Sequence, residues 1–300
     1  MSAEKLSVKF KEGFYHLVPS DEYHSWPFVS SSILKIMLKG SAEKAKDYFD
    51  DTKEPTPSQN FGSMFHKLCL EPDDFSSEYT VGPECMARQK NGKRCSYRAS
   101  ICWRNQWLCK KHGQGAEHSG PQSVNPDEYS KAKLMMEKVN SHPVVSSILK
   151  DTPQEMKELS GQLNLLGLEM KLRLDCASTY HRTILDFKTC IDNSPEVFKN
   201  VAWNYGYWHQ AFIYMEGAKK LFGKNSFTRF LVCAVEKEPP FSIACYELGE
   251  EGRERAGSQL LSKDGPVYTW KECLATDKYP DHPLLMDLTL PKYITYKKGD

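Results

Sequence analysis

Two periodicities organise the chain. Near the N-terminus, apolar residues recur at helical spacing. Ser30, Ser31 or Ser32 can cap a helix over Ile33 to Met37, and a second short helix follows over Ala42 to Phe49. The stretch Asp50 to Asn60 carries Pro55 and Pro57 and reads as a loop. Phe61 to Leu70 returns to helical spacing, and Glu71-Pro72 ends it. Asp127 to Val139 is helical again. The spacing then changes to two. In Met170 to Asp175 (MKLRLD) apolar and polar residues alternate, as a half-buried strand requires. A polar turn over Ser178 to Arg182 leads into Thr183 to Thr189 (TILDFKT), which predicts the partner strand of a hairpin. Pro195 to Phe222 is expected as one helix, with Trp203, Tyr207, Gln210, Tyr214 and Leu221 at helical spacing. Strands are expected over Phe227 to Val235 and Phe241 to Tyr246. Helices and strands in this order suggest an α/β or α+β domain.

Composition narrows the class. At 300 residues the chain can bury a sizeable core without a covalent or metal staple. Charged residues at 26% together with 12% aromatic residues exclude a disordered chain. No apolar run approaches the roughly 18 residues of a membrane span, and Met1 to Glu12 does not read as a secretory signal. A cytoplasmic protein without a membrane partner is expected. The ten cysteines are therefore expected reduced.

The net charge of +1 hides an asymmetry. Residues 82–120 hold eight basic and two acidic residues, so they carry +6 and the remainder of the chain −5. A Gly/Ser/Pro-rich stretch, Gly113 to Pro126, closes the segment, which reads as an inserted module. Within it lie Cys85, Cys95, Cys109 and His112. Thiolates and imidazole suit tetrahedral zinc, and the closing C-x-x-H is a normal knuckle spacing. Cys102 can replace one of the four, and a loop with free thiols is the bland alternative. Zinc would explain how a polar, basic insert folds. Lys90, Lys93, Arg94 and Arg98, with Tyr97, Trp103 and Trp107, suit contact with phosphates and stacking on bases. Protein docking is the other use. An iron–sulfur cluster fits poorly, because Cys233, Cys245 and Cys273 are spread out.

The candidate chemistry of the main body is in Asp175, Asp186 and Lys188. Positions two apart on a strand share a face, so Asp186 and Lys188 point the same way, beside the end of the strand that carries Asp175. Two converging carboxylates suit a hard divalent cation. A lysine beside it can orient or deprotonate a water and stabilise charge, a site suited to phosphodiester hydrolysis. Gln210 and Tyr214 share a helix face. His66 lies in FGSMFHKLCLEP, four residues after Gly62. Taken singly, each of these is more often structural.

Taken in order, G-x-x-x-H, a Glu, D, D-x-K and Q-x-x-x-Y resemble the PD-(D/E)XK nuclease superfamily. Within it they resemble the RecE-type (exonuclease VIII) nuclease domain and related phage exonucleases. YHSWPFVSSSILKIM, LEPDDF, KLRLD, ILDFKT and YGYWHQAFIY carry the likeness, over roughly residues 14–235 apart from the insert. The resemblance implies a single nuclease domain over 1–300: a central mixed β-sheet flanked by helices, with the Cys/His module at 82–120 as an insert. The segment 236–300 is a C-terminal extension that it does not cover. It further implies Mg2+ or Mn2+ on His66, Asp175, Asp186 and the Phe187 carbonyl, with Lys188 activating water. Gln210 and Tyr214 would position the lysine, the DNA end or the phosphate. The acidic residue before the D-x-K strands is Glu158 or Glu155, with Glu158 better spaced. The expected activity is metal-dependent exonucleolytic hydrolysis of linear double-stranded DNA in phage-type recombination. The alternatives are a restriction-type endonuclease, or a zinc-dependent nucleic-acid-binding protein with a vestigial site. A single-strand annealing partner and a homo-oligomer stay open.

Overall fold

The computed structural model describes residues 10–50, 55–88 and 92–282. Ten strands are found among them: β1 (Gly13–Tyr15), β2 (Tyr79–Val81), β3 (Ile101–Trp103), β4 (Gln106–Leu108), β5 (Gln122–Val124), β6 (Lys157–Leu165), β7 (Leu168–Ser178), β8 (Thr183–Cys190), β9 (Arg229–Glu236) and β10 (Ile243–Glu247). Six form the central sheet, in the order β1-β6-β7-β8-β9-β10. All neighbours in it are antiparallel except β8 and β9, which run parallel. Parallel neighbours need a long crossover, supplied here by helices Pro195–Asn204 and Tyr207–Phe222.

Alternation along β8 and β9 sends side chains to two separate cores. Ile184, Phe230, Val232 and Ala234 face one core, with helices Ser31–Met37 and Tyr207–Phe222. Leu185, Phe187, Leu231, Cys233 and Val235 face the other, with helices Pro57–Leu70 and Pro126–Ser141. The sheet is thus covered on both sides, as strands buried on both faces require. Lys171, on the polar side of β7, is buried between the exposed Glu169 and the half-buried Arg173. Lys171 Nζ donates to the carbonyls of Tyr23 (3.1 Å), His24 (2.9 Å) and Trp26 (2.7 Å), so the N-terminal segment is tied onto the strand.

Several elements differ from expectation. The helix before His66 begins at Pro57, inside the expected loop, because Thr56 and Gln59 form a reciprocal capping box. The expected single helix 195–222 is broken at Gly206, whose φ of +68° ends one helix and starts the next. The segment after Val235 is part of the main fold over its described length. Leu248, Leu260, Val267 and Trp270 lie in the first core, just after β10 and on helices Glu250–Leu260 and Pro266–Thr276. Helix Glu250–Leu260 approaches helix Tyr207–Phe222 closely. A Cβ on Gly252 would lie 2.2 Å from Trp208, and one on Gly257 2.4 Å from Phe212.

Candidate active site and metal centre

The site is built where the sheet comes apart. The β7–β8 ladder runs Ser178↔Thr183, Ala177↔Ile184, Cys176↔Leu185 and stops there, just before Asp175 and Asp186. The β6–β7 ladder passes from Leu159↔Leu174 to Lys157↔Cys176, with Glu158 and Asp175 skipped between them. Both strands change phase at this point. Leu159 and Leu174 face the first core, whereas Cys176 faces the second and Ala177 the first. Glu158 takes the phase change with φ +47°, a left-handed conformation that is costly for a residue with a Cβ. Strain at one residue therefore turns two carboxylates into the fork.

Asp175 Oδ2 accepts the Phe187 N–H at 2.7 Å, so this carboxylate does the work of the missing ladder bond. His66, from helix Pro57–Leu70, reaches the same place. Its Nε2 lies 3.1 Å from the Phe187 carbonyl, which can only accept, so the proton sits on Nε2. The other ring nitrogen, Nδ1, lies 3.4 Å from Asp175 Oδ2 and 3.9 Å from Glu158 Oε1. One ligand atom from each of His66, Glu158 and Asp175 lies within 4.8 Å of the others. A nitrogen and two carboxylate oxygens converging in this way is an arrangement a divalent cation satisfies. Burial, and then the Asp175 charge, push the Glu158 carboxyl up to about 7, against Arg173 and His66. Arg173 Nε donates to Glu158 Oε2 at 2.6 Å. Glu155 is exposed on the preceding turn, Gln154–Met156, and does not enter the site.

On the other side of the fork Asp186 is 1% exposed. Its Oδ1 accepts from Gln210 Nε2 at 2.8 Å and its Oδ2 pairs with Lys188 Nζ at 2.6 Å. Burial pushes the Asp186 carboxyl up, opposed by Lys188. Burial alone would lower Lys188, but Asp186 and Asp175 outweigh it and hold the ammonium above its ordinary range. Lys188 is accordingly a fixed positive charge here, suited to holding a phosphate oxygen or orienting a water. Asp186 lies outside the three-residue acceptor group, and the Phe187 carbonyl faces His66.

Three further residues bear on the site. Tyr207 lies under Lys188, ring centroid 5.3 Å from Nζ. Tyr214 is buried two turns further along the helix, beside Ser31 and Phe230; burial, then Tyr23, Asp186 and Asp175, push its hydroxyl well above the ordinary range. Lys35 Nζ donates to Gln210 Oε1 at 3.2 Å, which orients the amide so that its NH2 group faces Asp186. Burial, and then Lys188, lower Lys35 to about 8. Lys35 stands in the SSSILK stretch and Arg173 in KLRLD, so both are motif positions, but their spacing alone points to no role.

The insert forms a second cluster. β2 and β5 pair in parallel, so the chain leaves the main body and returns beside its starting point. Cys85, Cys95, Cys109 and His112 bring one ligand atom each within 4.8 Å of the others. Cys109 Sγ is 3.3 Å and Cys85 Sγ 3.4 Å from His112 Nδ1, and Cys95 Sγ is 4.0 Å from Cys109 Sγ. Ordinary Zn–S and Zn–N bonds at tetrahedral angles give edges of about 3.8 Å between thiolates and about 3.5 Å from thiolate to imidazole. The donor set and its size thus fit zinc. Cys102 stays apart, its backbone N–H bound to His118 Nδ1 at 2.9 Å. Lys93, Arg94 and Arg98 are exposed, with Arg98 tied to the Gly82 carbonyl at 2.7 Å; Lys90 lies outside the described residues.

A mixed sheet with helices on both faces, forked over D…D-x-K carboxylates and a lysine, defines an α/β protein of PDDEXK type. The family model described as a PDDEXK-like domain of unknown function (DUF3799) matches residues 30–283, and the chain belongs to that family. The fold is also similar to the crystal structure of a "Putative exonuclease" from Eubacterium rectale. The TM-score is 0.58 at 13% identity, over 92% of this chain and 96% of that one. At that identity the likeness is one of fold. No curated protein matches. No helix among the described residues is long and apolar enough to cross a membrane.

Proposed function

We propose that the protein is a divalent-metal-dependent deoxyribonuclease that hydrolyses phosphodiester bonds of linear double-stranded DNA from an end. The observation that carries the hydrolytic reading is the convergence of His66, Glu158 and Asp175 beside a Lys188 held by Asp186. In this reading the first three hold Mg2+ or Mn2+, and Asp186 lends the same centre its charge. The bound cation, when present, polarises the phosphate and acidifies a water. Lys188 then holds a phosphate oxygen through the transition state, where a preorganised positive charge is worth most. Asp186, Gln210 and Tyr207 keep that ammonium in place. Attack from a strand end, and a role in phage-type recombination beside an annealing protein, are supported by the likeness of KLRLD, ILDFKT and YGYWHQAFIY to RecE-type exonucleases.

In the same reading residues 82–120 form a separate unit held by zinc on Cys85, Cys95, Cys109 and His112. Its exposed Tyr97, Lys93 and Arg94 suit contact with DNA. The test is digestion of matched linear and covalently closed duplexes with Mg2+. Loss of the linear form alone supports the exonuclease; nicking of the closed circle overturns end entry and favours a restriction-type endonuclease.

A further inference from the structure

The edge of the central sheet carries a pair of thiols. β9 and β10 run antiparallel, and Cys233 stands directly opposite Cys245 in their register. The Glu236 N–H donates to the Ser242 carbonyl at one end of the ladder, and the Leu248 N–H to the Phe230 carbonyl at the other. Hydrogen-bonded pairs alternate with non-bonded ones along such a ladder, so counting from either end makes Cys233 and Cys245 a non-bonded pair. The Cα atoms of such a pair stand about 4.5 Å apart, with their side chains close. A disulfide spans Cα separations of roughly 4.4–6.8 Å, so the backbone already holds these two cysteines at bridging distance. Both side chains meet the second core, Cys233 within it and Cys245 packed against it. Among the described residues no other two cysteines oppose each other across a ladder.

The two thiols differ in what they can do. Cys233 is fully buried, whereas Cys245 is half-buried on β10, the outer strand of the sheet. Hydrogen bonding with the Cys233 thiol lowers Cys245 from its ordinary value, against its burial. The same bond, and then burial, raise Cys233 well above its own. The thiolate is the form that attacks an oxidant, so Cys245 reacts first. Cys233 needs no access to solvent, because it has only to reach the sulfur opposite. Cys69 and Cys190 also act on Cys233. Cys190 belongs to the first core and so lies on the far face of the sheet. Cys69 shares the second core but comes from helix Pro57–Leu70 and is not set against Cys233 by any ladder. The pair is one strand from the fork: Cys233 registers with Phe187, whose N–H binds Asp175 and whose carbonyl faces His66.

We propose that Cys233 and Cys245 form a dithiol site whose oxidant is a peroxide and whose product is a reversible cross-strand disulfide. The Cys245 thiolate attacks one oxygen of hydrogen peroxide. An S–O bond forms, the O–O bond breaks, and the leaving hydroxide takes up the proton that Cys245 gave up and departs as water. Cys245 is then a sulfenic acid, oxidised by the two electrons that the peroxide gains. The Cys233 sulfur next attacks the Cys245 sulfur. The S–S bond forms, the S–O bond breaks, and the hydroxide leaves with the Cys233 proton as a second water. Two thiols and one peroxide thus give one disulfide and two waters. A dithiol reductant reverses the step by exchange. The bridge closes a loop that the β9–β10 ladder has closed already, so the fold is kept. The site needs neither DNA nor a divalent cation and stands independently of the nuclease reading.

The test treats the full chain as purified, freed of reductant, with hydrogen peroxide. Remaining thiols are then alkylated under denaturing conditions, and trypsin, cutting after Lys237, places the two cysteines in different peptides. Mass spectrometry should find the Cys233 peptide joined to the Cys245 peptide, two hydrogens lighter than their sum and separated again by dithiothreitol. The joined species should vanish in Cys245→Ser, with Cys233 recovered as a free thiol, and should persist in Cys69→Ala. Wild type alone decides the matter if either variant fails to fold. Cys233 and Cys245 both fully alkylated, at a peroxide dose that oxidises glutathione in a parallel tube, would overturn the site. So would Cys233 joined to Cys69, Cys245 joined to a second chain, or Cys245 carried on to sulfinic acid beside a free Cys233 thiol.

Discussion

The two metal-suited clusters are assembled in opposite ways. At the fork, His66, Glu158 and Asp175 come from three separate elements of the chain, and Asp186, Lys188 and Gln210 complete the surroundings. Two cores and a six-stranded sheet hold them in place. In the insert all four donors lie between residues 85 and 112. Among the described residues the buried apolar cluster there is Cys85, Cys95, Ala99, Leu108 and Cys109, so the ligands are most of the core. Two carboxylates and one imidazole on a rigid frame would leave a hard cation exchangeable and open to substrate. A closed set of thiolates and imidazole would make its ion part of the fold. Charge follows the same division, with +6 in the insert and −5 elsewhere.

The comparison breaks most sharply at Lys188. Lys188→Ala should cost on the order of 10²–10³-fold in kcat, the usual loss for one preorganised charge-stabilising group. Bound zinc should stay near wild type, while the melting temperature should fall because the buried Asp186 carboxylate loses its partner. Loss of zinc together with activity would show that the two centres are not separate.

The reverse experiment is Cys109→Ser. It should remove the zinc and expose residues 82–120 to limited proteolysis while the main body keeps its near-ultraviolet circular dichroism. A main body that melts with the insert would erase the distinction between frame-held and ion-held sites.

Most of the fork was legible in the sequence because its residues sit in short motifs of fixed strand and helix period. D-x-K places Asp186 and Lys188 on one face, and Q-x-x-x-Y places Gln210 and Tyr214 on another. What the motifs could not show is where the ladder fails. The phase change at Glu158 needs a left-handed backbone that no residue type there announces. Lys35 acts on Gln210 across a gap of 175 residues, which periodicity does not bridge. The break at Gly206 was hidden because the apolar spacing of 195–222 continues through it. Tyr207 meets Lys188 as a consequence, since the new helix starts beside the fork.

Smaller effects sharpen the picture of the frame. Gly257→Ala would press a methyl into Phe212, the residue two after Gln210 on the same helix. Overpacking of this kind costs about 1–3 kcal/mol, read as a lowered melting temperature with unchanged zinc content. Lys67, next to His66, is buried with Glu71 at 3.0 Å, Asp74 at 2.7 Å and Glu78 at 2.7 Å. Hydrogen bonds from Lys67, and then Ser77, hold the Asp74 carboxyl below its ordinary value. A carboxyl lowered in the folded state lends stability above its unfolded value, about 3.9, and loses it as pH falls through the lower folded value. Acid unfolding below about pH 4 should thus be slightly steeper in wild type than in Asp74→Asn, and the two should converge at the lowest pH.

The most direct test of the account is Mg2+-dependent hydrolysis of an end-labelled linear duplex by the full chain and by its Asp175→Asn variant. The asparagine keeps the shape of the side chain, but the charged ligand that joins His66 to Glu158 is gone. Wild type should cut only when Mg2+ or Mn2+ is added, and the variant should not cut at any Mg2+ concentration while retaining about one zinc per chain. Cleavage by wild type without added divalent cation, or near-normal cleavage by the variant, would contradict a metal-dependent site at the fork.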